Sequence, residues 1–314
     1  MSHPRQSRPM GSISHYIKDI GRGKDGARAI TREQAADLFG QLLDGSVSDL
    51  EVGAFCLAMR IKGETADEMA GFLDATASRM QRVPAGERTL VVLPSYNGAR
   101  KLPVLTPLLA LLVAREGLPV LVHGAATEVV QGSRVTAPAV LRALEIAPLH
   151  AVRAIAPGEV AFLPTATLCP GLQRLLDVRR VVGLRNSAHS LVKLMNPSEG
   201  PAVVVGSYTH PEYAISMAEV FERVGATALL LRGTEGEPVA DARRLPKMEG
   251  FIRGRRVLLE EGRKGTLTDL PDMPAAIDAA ATAAYIRRVM AGNLPLPASI
   301  ATQVAHIVQL ALQA

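Results

Sequence analysis

The sequence contains no tryptophan and only two cysteines, and aromatic residues make up 4% of its 314 positions. Two cysteines argue against a disulfide framework or a cysteine-rich zinc site, so Cys56 and Cys169 are interpreted as structural thiols. No run approaches the roughly 18 apolar residues of a membrane span, and residues 1–12 lack the apolar region of a secretory signal. We therefore expect a cytoplasmic protein without a membrane partner.

Basic residues are unevenly distributed along the chain. The formal net charge is +5, from 35 Lys and Arg against 30 Asp and Glu. Residues 174–193 contain five basic residues and one acidic residue, and residues 243–256 contain six basic residues and one acidic residue. The net positive charge of these two windows together exceeds the net charge of the whole chain, so the rest of the chain is slightly acidic. A focused positive surface is typical of proteins that bind a phosphate backbone.

The hydrophobic pattern predicts two domains after a disordered tail at residues 1–12. Helical periodicity over residues 13–85 indicates a small helical domain, with helices beginning near Thr31, Ser48 and Thr65. Residues 86–170 and 198–314 alternate apolar strands with helices, which predicts an α/β domain with a mainly parallel sheet covered on both faces. The candidate strands are residues 89–94, 119–123, 202–206 and 226–231. Residues 171–197 form a basic helical insertion that we expect to pack on the helical domain, and residues 241–272 are predicted to be irregular.

The stretch from Val91 to Gly124 has the pattern of a βαβ unit, a buried strand, a turn, an apolar helix and a second buried strand. In such a unit the turn after the first strand lies at the carboxyl edge of the sheet, where a helix N-terminus offers N–H groups to an anion. The turn from Pro94 to Lys101 has one glycine, Gly98, where phosphate-binding turns have several, and it has gained Arg100 and Lys101.

The order of motifs resembles that of the anthranilate phosphoribosyltransferases and of the pyrimidine nucleoside phosphorylases that share their fold. The turn from Pro94 to Gly98 stands where that family has Gly-Thr-Gly-Gly-Asp. His123 and Gly124 match the family's Lys-His-Gly-Asn-Arg motif, but Ala125 and Ala126 replace the Asn and Arg. The resemblance implies an anthranilate phosphoribosyltransferase-like fold, with a small N-terminal helical domain and a larger α/β domain.

A later family motif is kept in part. The run GLRNSAHSLVKLMNP retains residues that match the motif, namely Gly183, Arg185, Asn196 and Pro197. The acidic pair that binds magnesium in the family falls on Pro238 and Val239. We therefore expect no metal, no cofactor and no catalytic residue, and a vestigial substrate pocket. That pocket would comprise Ser95, Tyr96, Asn97, Gly98, His123, Gly124 and Thr127.

Several segments, among them LPSYNGARK, VHGAATE, SYTHPEY and LLLRGTEGEP, are similar to the YbiB-like proteins, a divergent branch of this family. That resemblance implies DNA binding without transferase activity. It also implies a homodimer formed through the helical domain, whose apolar helices favour the same arrangement.

The basic clusters are the candidate nucleic-acid contacts, with DNA, or alternatively RNA, as the partner. The resemblance places residues 174–193 across the same cleft as Arg100 and Lys101, and the scarcity of aromatic side chains favours contacts with the phosphate backbone over base stacking. The glycine-containing segments IRGRR and EGRKG are expected to be flexible loops that follow the phosphates. The candidates are Arg100, Lys101, Arg174, Arg179, Arg180, Arg185, Lys193, Arg243, Arg244, Lys247, Arg253, Arg255, Arg256, Arg263 and Lys264.

Two other functions are compatible with the sequence. The first is a phosphoribosyltransferase or phosphorylase with altered ligands, whose substrate would be surrounded by Ser95, Asn97, His123, Thr127 and Arg185. The second is a scaffold that binds a nucleotide or a protein partner through the same cleft. No paired carboxylate stands at a suitable spacing from His123, His189 or His210, so these histidines are interpreted as structural.

Overall fold

A computed structural model describes residues 12–23, 25–125, 134–265, 268, 270–274 and 276–314. The chain divides into two compact units, a helical unit of Met1–Met80 with Cys169–Leu191 and a sheet unit of Gln81–Leu168 with Val192–Ala314. The tail expected at residues 1–12 lies outside the described residues except for Ser12. The helices are α1 (Ser14–Ile20), α2 (Arg32–Asp44), α3 (Asp49–Lys62), α4 (Ala66–Ala77), α5 (Thr106–Arg115), α6 (Ala137–Ala143), α7 (Thr165–Leu168), α8 (Pro170–Asp177), α9 (Arg179–Val182), α10 (Ala188–Leu191), α11 (Pro211–Arg223), α12 (Ala279–Met290) and α13 (Ala298–Ala311). The strands are β1 (Leu90–Pro94), β2 (Val120–Gly124), β3 (Val160–Pro164), β4 (Ala202–Tyr208), β5 (Ala228–Arg232), β6 (Met248–Ile252) and β7 (Arg255–Glu260).

Capping boxes begin the three longest helices of the helical unit. The side chains of Thr31, Ser48 and Thr65 each accept a hydrogen bond from the backbone N–H three residues on. The Gln or Glu side chain at that position in turn accepts a hydrogen bond from the backbone N–H of the cap residue. The helices therefore begin where the sequence predicts them. Phe39, Phe55 and Phe72 form the core between them, with ring centroids 4.5–6.2 Å apart.

The segment of α8 to α10 belongs to the helical unit, and α8 packs on α2. One hydrogen bond fixes this contact, from the Arg174 guanidinium to the Leu43 carbonyl at 2.7 Å, at the end of α2. Both cysteines are buried and unpaired. Burial raises the pKa of the Cys56 thiol to about 11, so at neutral pH it is an inert core residue.

A seven-stranded sheet in the order β3-β2-β1-β4-β5-β6-β7 organises the sheet unit. Strands β1 to β5 are mutually parallel, and β6 and β7 add an antiparallel hairpin. Helices α5, α12 and α13 contribute to the apolar core on one face, and α11 packs against β4 and β5 on the other face. The expected fold class, a small helical domain with an α/β domain around a mainly parallel sheet, is confirmed. In the part of the chain that the structure describes, no helix has both the length and the apolar character needed to cross a bilayer.

The β6–β7 hairpin corrects the expectation that residues 241–272 are irregular throughout. Arg253 and Gly254 form its turn with φ values of 49° and 83°, the two left-handed conformations of a tight hairpin loop. Arg255 and Arg256, which were expected in a flexible loop, instead lie on an ordered edge strand. Charged residues are common at such an edge because they discourage pairing with another chain.

Candidate functional site

The chemically distinctive part of the sheet unit is its carboxyl edge, the edge at which the parallel strands β1 to β5 end. Strand β1 pairs with β2 on one side and with β4 on the other, so the turn after β1 lies at the switch point where ligands bind in open α/β sheets. This turn faces the loop from Gly233 to Val239 that follows β5, because backbone N–H groups of the turn donate to side chains of that loop.

Glu237 is the most buried acidic residue of this region, with 1% of its surface exposed. Its Oε1 accepts hydrogen bonds from the backbone N–H groups of Asn97 and Gly98, each at 2.9 Å. Its Oε2 accepts from the Ser95 hydroxyl and from the Thr106 hydroxyl, the latter at 3.0 Å. One carboxylate therefore takes four donors, which is the full accepting capacity of its two oxygens.

Glu235 binds the second half of the same turn. Its carboxylate accepts from the backbone N–H groups of Arg100, Lys101 and Leu102 at 3.0, 2.9 and 3.1 Å. In the sequence, the family's magnesium-binding acidic pair falls on Pro238 and Val239, which predicts that this loop offers no carboxylate. The structure corrects that conclusion, since Glu235 and Glu237 bring two carboxylates onto the turn. The alternating Glu residues of TEGEP, directly after β5, were the signal that could have revealed them.

The side chains of Tyr96, in the turn, and of His123, on β2, are both buried and contact each other. The Tyr96 hydroxyl is 2.8 Å from His123 Nδ1 and 2.7 Å from the Thr165 hydroxyl, and the rings of Tyr96 and His123 pack edge to face. His123 is fully buried at the end of β2, beside Gly124, and burial lowers the pKa of its imidazole to about 3. The ring is therefore uncharged at neutral pH, as expected of a structural histidine.

Acid is expected to destabilise the protein through His123. A histidine in an unfolded chain titrates near 6.5, so His123 contributes its stability fully above that pH and loses it as the pH falls from 6.5 towards 3. At pH 5 the loss is on the order of 2 kcal/mol. Urea unfolding at pH 7 and pH 5 should show a smaller loss in His123→Gln than in the wild type. The matched control is His150→Gln, an exposed histidine, which should keep the wild-type loss. Equal losses in all three proteins would contradict this account of His123.

Six exposed basic residues lie at the carboxyl edge without an ion pair among the described residues. We call them the edge cations. Strand β6 begins beside the end of β5, and β7 ends beside the start of β6, so residues 241–247 and 261–264 reach the same edge as the turn after β1. A hydrogen bond from the Arg263 N–H to the Leu245 carbonyl joins these two segments. The edge cations are Arg100, Lys101, Arg232, Arg244, Arg263 and Lys264. Arg232 was not identified from the sequence, because it stands alone at the end of β5.

The other basic candidates of the sheet unit are placed differently. Arg243 pairs with Asp241 at 2.9 Å, and Lys247 and Arg256 both pair with Glu249, at 2.7 and 2.9 Å. Arg253 and Arg255 lie at the hairpin turn, at the opposite, amino edge, where the Gly254 N–H bonds to the Ala226 carbonyl before β5. The six basic residues of the window 243–256, close together in sequence, are therefore divided between the two edges.

Lys193 is buried in the sheet unit, and its ammonium donates to the carbonyls of Gly236 and Ser207 at 3.0 and 3.3 Å. It supports the loop that carries Glu235 and Glu237, and we do not include it in a nucleic-acid surface. Thr127 lies outside the described residues.

The basic candidates of the helical unit lie in its Cys169–Leu191 segment. Arg174 donates a hydrogen bond to the end of α2, and Arg180 is 3.5 Å from Asp177. Burial, together with the nearby charges of Arg185 and Arg179, lowers the pKa of His189 to about 4. His189 Nδ1 contacts the Asn186 side chain at 3.2 Å, and His210 is an exposed residue before α11. Among the described residues, no three or more His, Cys, Asp and Glu side chains come together as a metal site.

Comparison with known sequences finds relatives for most of the chain. Residues 14–80 match the helical bundle domain of a glycosyl transferase family. The chain is 41% identical over 297 residues to the Escherichia coli protein YbiB, covering 92% of this chain and 91% of that protein. It is 30% identical over 219 residues to an anthranilate phosphoribosyltransferase of Methylobacterium nodulans, covering 68% of this chain and 61% of that enzyme.

Solved structures with the same fold include two anthranilate phosphoribosyltransferases. The enzyme from Thermus thermophilus superimposes with a TM-score of 0.65 at 24% identity, over 94% of this chain and 88% of its own. The enzyme from Saccharomyces cerevisiae, in complex with PRPP and Mg, superimposes with a TM-score of 0.66 at 14% identity, over 95% of this chain and 88% of its own. At these identities the likeness shows the fold alone.

Proposed function

The chain belongs to the family of Escherichia coli YbiB, related to the anthranilate phosphoribosyltransferases, and from this premise we propose that it binds nucleic acids without sequence preference. The binding surface is the carboxyl edge of the sheet unit. DNA is the proposed partner, and the scaffold transfers no phosphoribosyl group.

The observation that carries the proposal is the gathering of the edge cations. Four separate parts of the sequence contribute to them, namely the turn after β1, the end of β5, the segment before β6 and the segment after β7. Their side chains are exposed, and none of the six forms an ion pair within the described chain. Exposed cations of this kind add little to the stability of a fold, whereas each one that meets a phosphate releases a condensed counterion from the nucleic acid.

The solved yeast enzyme is in complex with PRPP and Mg. In this chain the turn after β1 and the loop after β5, which lie beside the edge cations, do not offer free groups for these two ligands. A diphosphate needs the backbone N–H groups of the turn, and these already donate to Glu235 and Glu237. A magnesium ion needs carboxylate oxygens, and those of Glu237 already accept four hydrogen bonds. This disagreement supports nucleic-acid binding over a transferase or phosphorylase function.

Titration of labelled oligonucleotides at several salt concentrations tests the proposal. Two duplexes of equal length and unrelated sequence should bind with affinities that agree within a few-fold, because phosphate contacts carry no sequence information. The logarithm of the affinity should fall linearly with the logarithm of the salt concentration, by about 0.9 for each phosphate contact. Undetectable binding at low salt would refute the proposal. A single-stranded oligonucleotide and an RNA of the same length, titrated in parallel, determine which nucleic acid is preferred.

We further propose that the helical unit forms a homodimer through helix α3. Leu50, Leu57 and Ile61 are 83%, 44% and 63% exposed, and their spacing places all three side chains on one stripe of the helix. An apolar stripe on one helix can pack against its own copy across a two-fold axis, which would explain why these side chains face outward.

Sedimentation at micromolar concentration should therefore show a species of twice the 33.3 kDa chain mass. The variant Leu50→Lys with Ile61→Lys should sediment as a monomer. The matched control is Ile215→Lys on α11, a side chain of similar exposure in the sheet unit, and this variant should remain dimeric. A wild-type protein that is monomeric, or a double variant that stays dimeric, would exclude this interface.

A further inference from the structure

We propose that Glu235 and Glu237 are intramolecular ligands that permanently occupy the anion site of the turn after β1. Five backbone N–H groups of this turn, from Asn97, Gly98, Arg100, Lys101 and Leu102, all donate to these two carboxylates. Successive N–H groups after a strand are a general binding site for phosphate and carboxylate groups. The turn has therefore kept its affinity for an anion, and the chain supplies that anion itself. This inference does not depend on nucleic-acid binding.

The loop that carries the two carboxylates is shaped to reach the turn. Glu235 adopts a left-handed backbone with φ of 50°, and Gly236 follows with φ of 86°. A Cβ atom on Gly236 would lie 1.8 Å from Asn97 Nδ2, so the loop and the turn approach each other as closely as a glycine permits. The Asn97 side chain donates to the Glu235 carbonyl at 3.0 Å.

Two further side chains stabilise the loop through hydrogen bonds to its backbone. The Gly236 carbonyl accepts hydrogen bonds from Lys193 Nζ at 3.0 Å and from the Ser207 hydroxyl at 2.8 Å. Both residues are buried: Lys193 lies in the segment between α10 and β4, and Ser207 lies near the end of β4. A left-handed glutamate costs free energy that these contacts must offset. The loop is therefore a built feature of the fold rather than an accidental contact.

The two carboxylates differ in how easily they can be removed. Glu237 is buried and also satisfies two hydroxyls, so its loss would disturb the interior. Glu235 is half-buried at the rim, and its loss would leave three N–H groups open to solvent. Deleting the Glu235 carboxylate should therefore preserve the fold and expose half of the anion site.

Calorimetry with inorganic pyrophosphate as the probe tests the inference. Wild-type protein should show no binding at millimolar pyrophosphate, and Glu235→Ala should bind at least ten-fold more tightly than the wild type. The matched control is Glu261→Ala, which removes one negative charge at the same edge without touching the turn and should behave as the wild type. Circular dichroism checks that each variant is folded. Wild-type binding as tight as that of Glu235→Ala, or no gain in folded Glu235→Ala, would overturn the inference.

Amide hydrogen exchange on the wild type provides a second test that needs no variant. The N–H groups of Arg100, Lys101 and Leu102 lie in an exposed turn, yet they should exchange slowly because the Glu235 carboxylate protects them. Adding pyrophosphate at 10 mM should leave their protection unchanged. Fast exchange, or a change in protection on adding pyrophosphate, would show that the carboxylate does not occupy the site.

Discussion

Replacing Glu237 by alanine is expected to lower the free energy of unfolding by on the order of 4 kcal/mol. The substitution removes the acceptor of two backbone N–H groups and two hydroxyls, all four on buried residues, and each unsatisfied buried donor costs about 1–3 kcal/mol. This is a large fraction of the roughly 5–15 kcal/mol that stabilises a typical domain. Urea unfolding followed by circular dichroism measures the change directly.

Two other glutamate variants calibrate this result. Glu235→Ala exposes its donors to water and is expected to cost less than half as much as Glu237→Ala. Glu261→Ala removes an exposed carboxylate and should change the stability by about 0.5 kcal/mol at most. A cost below about 1 kcal/mol for Glu237→Ala would mean that the carboxylate does not hold the turn.

Replacing four edge cations together is expected to weaken nucleic-acid binding about 100-fold or more at 0.15 M salt. The variant carries Lys101, Arg244, Arg263 and Lys264 as alanine, and all four side chains are exposed. Each lost phosphate contact removes the counterion release that favours binding, so the loss should be equal for unrelated sequences. Fluorescence anisotropy with two unrelated duplexes measures it. The melting temperature should change little, because none of these side chains is buried or paired within the described chain. A loss restricted to one duplex would indicate base recognition instead.

The order of the main elements could be predicted from the sequence because the strands next to the site are short apolar runs. Strands β1, β2, β4 and β5 lie within two residues of the predicted segments. The sequence pattern does not identify strand β3, and it predicts an irregular segment where the structure has the β6–β7 hairpin. The hairpin begins its second strand with two arginines and turns at Arg253-Gly254, so it lacks the apolar alternation that identifies a strand.

The closed anion site could not be predicted, because its bonds join residues that are 131–142 positions apart. The sequence indicated correctly that the turn after β1 had lost its glycines, but not that Glu235 and Glu237 would reach it. The clustering of basic residues along the sequence, by contrast, predicted more than the structure shows. Lys193 follows a basic run yet lies in the interior, and the run at 243–256 is divided by a hairpin between two edges of the sheet. Proximity in sequence therefore overestimated the charge available at one surface.

The most direct test of the nucleic-acid surface is the salt dependence of binding for two matched arginine pairs. One variant replaces Arg244 and Arg263, at the carboxyl edge, by glutamine. The other replaces Arg253 by asparagine, which tolerates the left-handed turn, and Arg255 by glutamine, at the amino edge. The two edges are about 15 Å apart along a five-residue strand, which exceeds the screening length of about 8 Å at physiological salt.

Each variant loses two positive charges, so the comparison isolates position from net charge. The carboxyl-edge variant should flatten the slope of log affinity against log salt by about 1.8 on duplex DNA, and the amino-edge variant should keep the wild-type slope. Equal slopes in the two variants, or a larger change at the amino edge, would contradict the assignment of the carboxyl edge as the nucleic-acid surface.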